Sequence, residues 1–172
     1  MKNADWGSCL LSIDVGNTST SYGLLKSGRL IGNWNGNDSV IPKIYNFICK
    51  SGVICQINCI ISSVNQKNYL KVKSRLNKLK LLGKTFTIKR SIHVRINHKY
   101  ININKLGSDR IVNIYGALRW YSKPCLVIDF GTATTVDYIS KTGVYEGGLI
   151  IPGVETSWNA LEERRRFCQS SF

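Results

Sequence analysis

An apolar run that ends on Asp-x-Gly and passes into hydroxyl residues occurs twice in this chain, and that repeat limits its fold more than any other feature. The first copy is Leu11-Ser12-Ile13-Asp14-Val15-Gly16-Asn17-Thr18-Ser19-Thr20, and the second is Val127-Ile128-Asp129-Phe130-Gly131-Thr132-Ala133-Thr134-Thr135-Val136. One shift along the chain takes Asp14 to Asp129, Gly16 to Gly131, Thr20 to Thr135, Lys26 to Lys141 and Gly28 to Gly143. Each copy reads as strand, tight turn, strand, closing at Lys-(Ser/Thr)-Gly. A third strand follows, Arg29 to Trp34 in one copy and Val144 to Ile151 in the other. Repeats of this kind set the architecture before any single element does. A glycine at such a turn lets the backbone bend and a ligand approach. Threonine hydroxyls and turn amides can hold phosphate oxygens while a neighbouring carboxylate holds a cation. A lone Asp-x-Gly hairpin is common and says little. Two copies imply a nucleotide bound in a cleft between duplicated α/β halves.

The rest of the chain supplies connecting elements. Pro42 suits the first turn of a helix running to about Lys50, with Ile44, Phe47 and Ile48 facing the sheet. Ile57 to Val64 is a near-continuous apolar run, as in a buried parallel strand. Ser62, Ser63 and Asn65 are candidate caps for a helix from Gln66 to Lys80, whose apolar stripe is Tyr69, Val72, Leu76 and Leu79. Phe86 to Ile88 reads as a short strand. His93 to Lys105 reads as a loop able to reach over a site, with His93 and His98 as ordinary loop residues. Gly107-Ser108-Asp109-Arg110 opens a helix of about fourteen residues by capping and period signals. Its start is either a plain N-cap or a helix N-terminus presenting amides, a carboxylate and a guanidinium to a ligand. Gly147 and Gly148 within a strand indicate close backbone approach. Pro152-Gly153 leads into a last helix, Glu155 to about Arg166.

At 172 residues the chain makes one domain or two small lobes, expected at 1–106 and 107–172. No apolar run reaches the ~18 residues of a membrane span. Met1 to Gly7 carries Lys2 and Asp5 without a long apolar core, so a cytoplasmic protein without membrane contact is expected. The net charge of +14 raises the question of nucleic acid. No nucleic-acid motif accompanies it, so a solvated basic surface is the expected meaning. Cys9, Cys49, Cys55, Cys59, Cys125 and Cys168 form no metal-type pair and read as buried free thiols.

Four segments together resemble the type III pantothenate kinases. They are Ile13-Asp14-Val15-Gly16-Asn17-Thr18, Leu106-Gly107-Ser108-Asp109-Arg110-Ile111-Val112-Asn113, Asp129-Phe130-Gly131-Thr132-Ala133-Thr134-Thr135, and Gly147-Gly148-x-Ile150-x-Pro152-Gly153. The resemblance implies the duplicated ribonuclease H-like, actin-like ATPase fold with an incomplete second lobe. It implies ATP-dependent phosphorylation of pantothenate to 4'-phosphopantothenate, the first step of coenzyme A biosynthesis. Asp14, Val15, Gly16, Asn17, Thr18, Ser19, Thr20 and Ser21 would be the first ATP-binding loop, and Thr132 a further ATP contact. Asp129 would bind a monovalent cation, K⁺ or ammonium, and Mg²⁺ would accompany ATP. Tyr100, Gly107, Ser108, Asp109 and Arg110 would bind pantothenate, with Asp109 as general base for its primary hydroxyl and Arg110 on an anionic part of the substrate. The resemblance also implies a homodimer.

The chain departs from the family at two places. Ile103 stands where the family has proline, and the run Glu162 to Phe172 does not resemble the family's continuation, which suggests a truncated second lobe. Two other readings therefore stand beside the kinase: a non-catalytic relative resembling the Bvg accessory factor, with a role in transcriptional regulation, and an inactive remnant. The presence of Asp14, Asp109 and Asp129 together favours the kinase, because a pure binding module needs no such set.

Overall fold

The computed structural model describes residues 9–51, 56–79 and 82–169. The chain divides into two compact units: the residues up to Val94 with Gly107–Asp109, and Arg95–Leu106 with the residues from Arg110 onward. Segment 95–106, expected with the first lobe, thus groups with the second unit.

The first unit holds β1 (Cys9–Val15), β2 (Thr20–Lys26), β3 (Arg29–Gly36), α1 (Ile41–Lys50), β4 (Ile57–Ser63), α2 (Gln66–Leu76) and β5 (Leu82–Thr87). The first three strands form an antiparallel meander, while β4 runs parallel to β1 and β5 parallel to β4. The sheet order is β3-β2-β1-β4-β5, the ribonuclease H-like connectivity. Parallel neighbours need a crossover, and α2 supplies it between β4 and β5. Period-2 alternation places Cys9, Leu11, Ile13 and Val15 of β1 in one core with Ile57, Cys59 and Ile61 of β4. Ile41, Ile44 and Ile48 of α1 and Tyr69, Val72 and Leu76 of α2 complete that core. Phe47 was expected on this face but lies beside it, half-exposed, and meets Trp34 edge-on with ring centroids 5.2 Å apart. The inward stripe of α1 runs through residues 41, 44 and 48, and position 47 falls a step around the helix from it. The β5 strand is longer than expected. The helix α2 stops at Leu76, and Lys80, its expected end, lies outside the described residues.

The second unit holds most of α3 (Ser108–Trp120), then β6 (Cys125–Phe130), β7 (Ala133–Ile139), β8 (Tyr145–Pro152) and α4 (Val154–Gln169). Strands β6-β7-β8 form an antiparallel meander that repeats β1-β2-β3. The likeness extends to an irregularity: pairing shifts between Leu24 and Leu25 in one meander and between Tyr138 and Ile139 in the other. The two tips differ in length. Val15 pairs with Thr20 in the first, whereas Phe130 pairs with Thr134 in the second. The second tip is one residue shorter, so a constant shift in the sequence slips by one position beyond it. The segment expected to be a loop able to reach over a site lies, at residues 97–99, along the start of β8. Tyr145 N donates to Asn97 O at 2.8 Å, and Lys99 N donates to Tyr145 O at 2.9 Å. These bonds account for its grouping with the second unit. Unlike β1, β6 leaves Leu126, Ile128 and Phe130 exposed, and β8 leaves Leu149, Ile150 and Ile151 exposed.

No described helix is long and apolar enough to cross a membrane. Cys9 and Cys59 are buried as expected and in no disulfide, Cys125 is half-buried, and Cys49 is exposed because it falls on the outer side of α1. Cys55 and the segment Met1 to Gly7 lie outside the described residues.

Candidate functional site

In the first unit the tip between β1 and β2 closes on itself through Gly16 N, which donates to Ser19 O at 3.0 Å. A Cβ on Gly16 would stand 2.9 Å from that oxygen, so the turn requires glycine. Of the eight residues of the expected first ATP-binding loop, Val15 and Thr20 bury their side chains and can contribute only backbone. Asp14, Asn17, Thr18, Ser19 and Ser21 are exposed. Ser21 Oγ donates to Asn35 Oδ1 on β3 at 2.9 Å.

Two asparagines at the start of α2 hold this tip. Asn65 caps the helix by accepting from Asn68 N at 3.0 Å, and its own amide donates to Asn17 Oδ1 at 3.3 Å. Asn68 Nδ2 lies 3.4 Å from both Gly16 O and Asn17 O. Asn65 was legible as a cap, but the anchoring of the tip by both residues was not.

The start of α3 is fastened to the end of β4 within the same unit. Ser108 Oγ donates to Ser63 O at 2.8 Å and accepts from Ser63 N at 2.9 Å. It also accepts from Ser62 Oγ at 3.2 Å. Ser108 is therefore buried as a tether. The neighbouring Asp109 is half-buried, and its Oδ1 would lie 2.3 Å from a Cβ on Gly107. Gly107 leaves the space that this carboxylate occupies, which explains why the two residues occur together.

In the second unit, Asp129 stands exposed near the end of β6. Asn113 Nδ2 of α3 donates to its Oδ2 at 3.1 Å, which gives the last residue of the Leu106–Asn113 segment a role. Among the described residues no group of three or more His, Cys, Asp or Glu side chains could hold a metal ion. Asp129 offers a hard carboxylate oxygen donor. Thr132 is exposed, and its carbonyl accepts from Gly153 N at 3.0 Å and from Thr156 Oγ1 at 2.9 Å. A Cβ on Gly153 would stand 2.0 Å from Gly131 O, so the Pro152-Gly153 turn packs directly on the second hairpin tip.

Arg110 does something the sequence did not disclose. Its guanidinium is buried and paired with Asp137 of β7, Nη2 to Oδ1 at 2.6 Å and Nε to Oδ2 at 3.1 Å. Tyr145 OH donates to the same Oδ1 at 2.8 Å. Burial opposes the guanidinium charge, yet the Asp137 carboxylate outweighs it and raises the Arg110 pKa. Burial, then the carboxylate, also push the Tyr145 phenol up. Gly148 makes room for the pair, since a Cβ there would meet Val136 O at 2.3 Å and Arg110 Nη2 at 2.6 Å. Tyr100, expected at a substrate, stacks on Tyr145 at 5.9 Å between ring centroids. Asp137 gave one signal in the sequence: an acid two residues from Ile139 on a strand falls on its inward face and needs a partner.

The chain is thus an α/β protein whose first unit has ribonuclease H-like connectivity, with an Asp-x-Gly hairpin tip in each unit. The type III pantothenate kinase family profile matches residues 10–167, and the chain belongs to that family. Similar proteins named type III pantothenate kinase occur in Persephonella marina, 31% identical over 161 residues and covering 88% of this chain and 63% of the relative. The relative from a Sulfurihydrogenibium species is 32% identical over 165 residues, covering 88% and 64%. That from Listeria innocua is 33% identical over 163 residues, covering 90% and 63%. The chain therefore spans a little under two thirds of the length of the curated relatives it matches.

Proposed function

We propose that this chain binds ATP and pantothenate and catalyses phosphoryl transfer to the primary hydroxyl of pantothenate, giving 4'-phosphopantothenate for coenzyme A biosynthesis. Family membership supports the reaction class, and the observation that carries the assignment is Asp109. Its carboxylate sits in space left by Gly107, on a helix start tethered to β4 by Ser108. Phosphoryl transfer depends mainly on positioning and on neutralising charge. A neutral alcohol attacking the γ-phosphorus must lose its proton, and a fixed carboxylate within hydrogen-bond reach can accept it as ADP departs.

The remaining residues take roles around that step. Asn17, Thr18 and the amides of the first tip hold phosphate oxygens, and Asp14 would help hold the magnesium that accompanies ATP. Thr132 contacts the nucleotide. Asp129, steadied by Asn113, would hold the monovalent cation, K⁺ or ammonium, which would supply positive charge when bound. Tyr100 and the Gly107–Arg110 segment bind pantothenate. Arg110 serves that segment mainly by gripping Asp137, since Nε and Nη2 are engaged there. A homodimer in the cytoplasm is the assembly the resemblance suggests.

The test is a coupled ADP-release assay on the purified chain with pantothenate and ATP, with and without K⁺. Pantothenate-dependent turnover that requires K⁺ is expected. A folded, monodisperse protein that releases no ADP would overturn the reading for this chain.

A further inference from the structure

A recess of about 300 Å³ opens beside the first hairpin tip, wholly within the first unit. Its wall includes Asn17, Thr18 and Ser19 of the tip, Asn37 and Asp38 after β3, and Asn68 and Lys71 of α2. Lys71 follows Asn68 by one helical turn, so the two are neighbours on the helix surface. Asn68 reaches the backbone carbonyls of Gly16 and Asn17, which fixes Lys71 relative to the tip. The segment Ile13 to Tyr22 contains no Lys or Arg. The tip thus offers hydroxyls and amides to an anion but no cation of its own. The carboxylate in the recess, Asp38, is held by Arg75, Nε to Oδ2 at 2.5 Å. The charge of Lys71 is therefore not cancelled by the acid of its own recess.

We propose that Lys71 is a nucleotide-phosphate ligand, its ammonium closing the recess over phosphate oxygens that Asn17, Thr18 and Ser19 hold from the hairpin side. This rests on the ATP-dependent reading and adds a residue to it. A polyphosphate in a polar recess is bound most strongly by charge-assisted hydrogen bonds. A lysine on a rigid helix, anchored one turn earlier to the binding loop, provides one at little cost in ordering.

The experiment is calorimetric titration of the full chain with ATP and with AMP, for wild type, Lys71→Met and Lys71→Arg, together with each protein's unfolding midpoint without nucleotide. Lys71→Met is expected to weaken ATP about tenfold or more, as for a lost hydrogen bond between charged groups. AMP affinity and the unfolding midpoint should stay as in wild type, and Lys71→Arg should restore most of the ATP affinity. Wild-type ATP affinity in Lys71→Met would overturn the assignment and leave the kinase reading intact. Equal loss of ATP and AMP, or a lowered midpoint, would overturn it by showing a structural role. A wild-type chain that binds no ATP at all would overturn both.

Discussion

Arg110 and Asp137 form a buried ion pair inside the second unit, with Nη2 and Oδ1 2.6 Å apart and side-chain exposures of 7% and 1%. Such a pair does not by itself signify high stability, because desolvation offsets most of the attraction. Its effect is asymmetric: losing one partner strands the other. Asp137→Ala should therefore lower the stability of the fold by about 3–5 kcal/mol. Urea unfolding followed by fluorescence measures this. A loss below about 1 kcal/mol would mean that the guanidinium finds water or another acceptor.

Gly148 is the backbone counterpart of that pair. Gly148→Ala places a methyl 2.3 Å from Val136 O and 2.6 Å from Arg110 Nη2. One of these contacts is backbone in the neighbouring strand, so the clash cannot be relieved by turning a side chain. A destabilisation of about 1–3 kcal/mol is expected, typical of overpacking. Gly28→Ala is a useful comparison, because its Cβ meets nothing within 4 Å although its φ is +75°. Its cost should come from backbone strain alone. The two variants separate crowding from conformation in one unfolding series.

The first unit has an alkaline sensitivity of its own. Burial, with a smaller contribution from the Asp38 charge, pushes the Tyr22 phenol from 10.0 up to about 12. The folded state then keeps the Tyr22 proton at a pH where the unfolded chain has lost it. The resulting stability is fully present below about pH 10 and is lost as pH rises towards 12. Tyr22→Phe removes the hydrogen bond from Tyr22 OH to Asn37 O, costing about 1 kcal/mol at neutral pH. The same variant should show a shallower fall in melting temperature between pH 10 and 12. Parallel melting curves for the two proteins across that range would refute the assignment.

The features legible in the sequence were those written locally. The paired meanders could be read because strand alternation, Asp-x-Gly and Lys-(Ser/Thr)-Gly lie within a few residues of one another. The cap Asn65 and the stripe Tyr69, Val72, Leu76 were legible for the same reason. What could not be read depended on tertiary placement. Arg110 and Asp137 are distant in sequence, and nothing local distinguishes a guanidinium offered to a ligand from one held by a strand. The slip of one residue between the two tips was hidden because the identities at Thr135, Lys141 and Gly143 follow the constant shift while the strand pairing does not. The placement of 95–106 was missed because it rests on backbone bonds to Tyr145, which no periodicity announces.

Asp109→Asn separates the chemistry from the scaffold. The substitution keeps the size of the side chain in the space beside Gly107 and leaves the Ser108 tether to Ser62 and Ser63 untouched. Folding should therefore be preserved, with the unfolding midpoint lowered only by the loss of a first-turn charge, about 0.3–1 kcal/mol. ATP affinity should also hold, since the residues proposed to bind phosphate, Asn17, Thr18 and Ser19 of the hairpin tip and Lys71 of α2, do not include Asp109. Turnover with pantothenate should fall about 10²–10⁴-fold, the usual contribution of a positioned general base. Steady-state kinetics at saturating ATP, alongside calorimetric ATP titration of the same preparation, read the two quantities independently. Turnover at the wild-type level would remove Asp109 from the proton-accepting role. Loss of ATP binding together with turnover would instead make it part of the nucleotide site. Only a fall in turnover with binding intact fits a carboxylate whose task is to take the proton from the attacking hydroxyl.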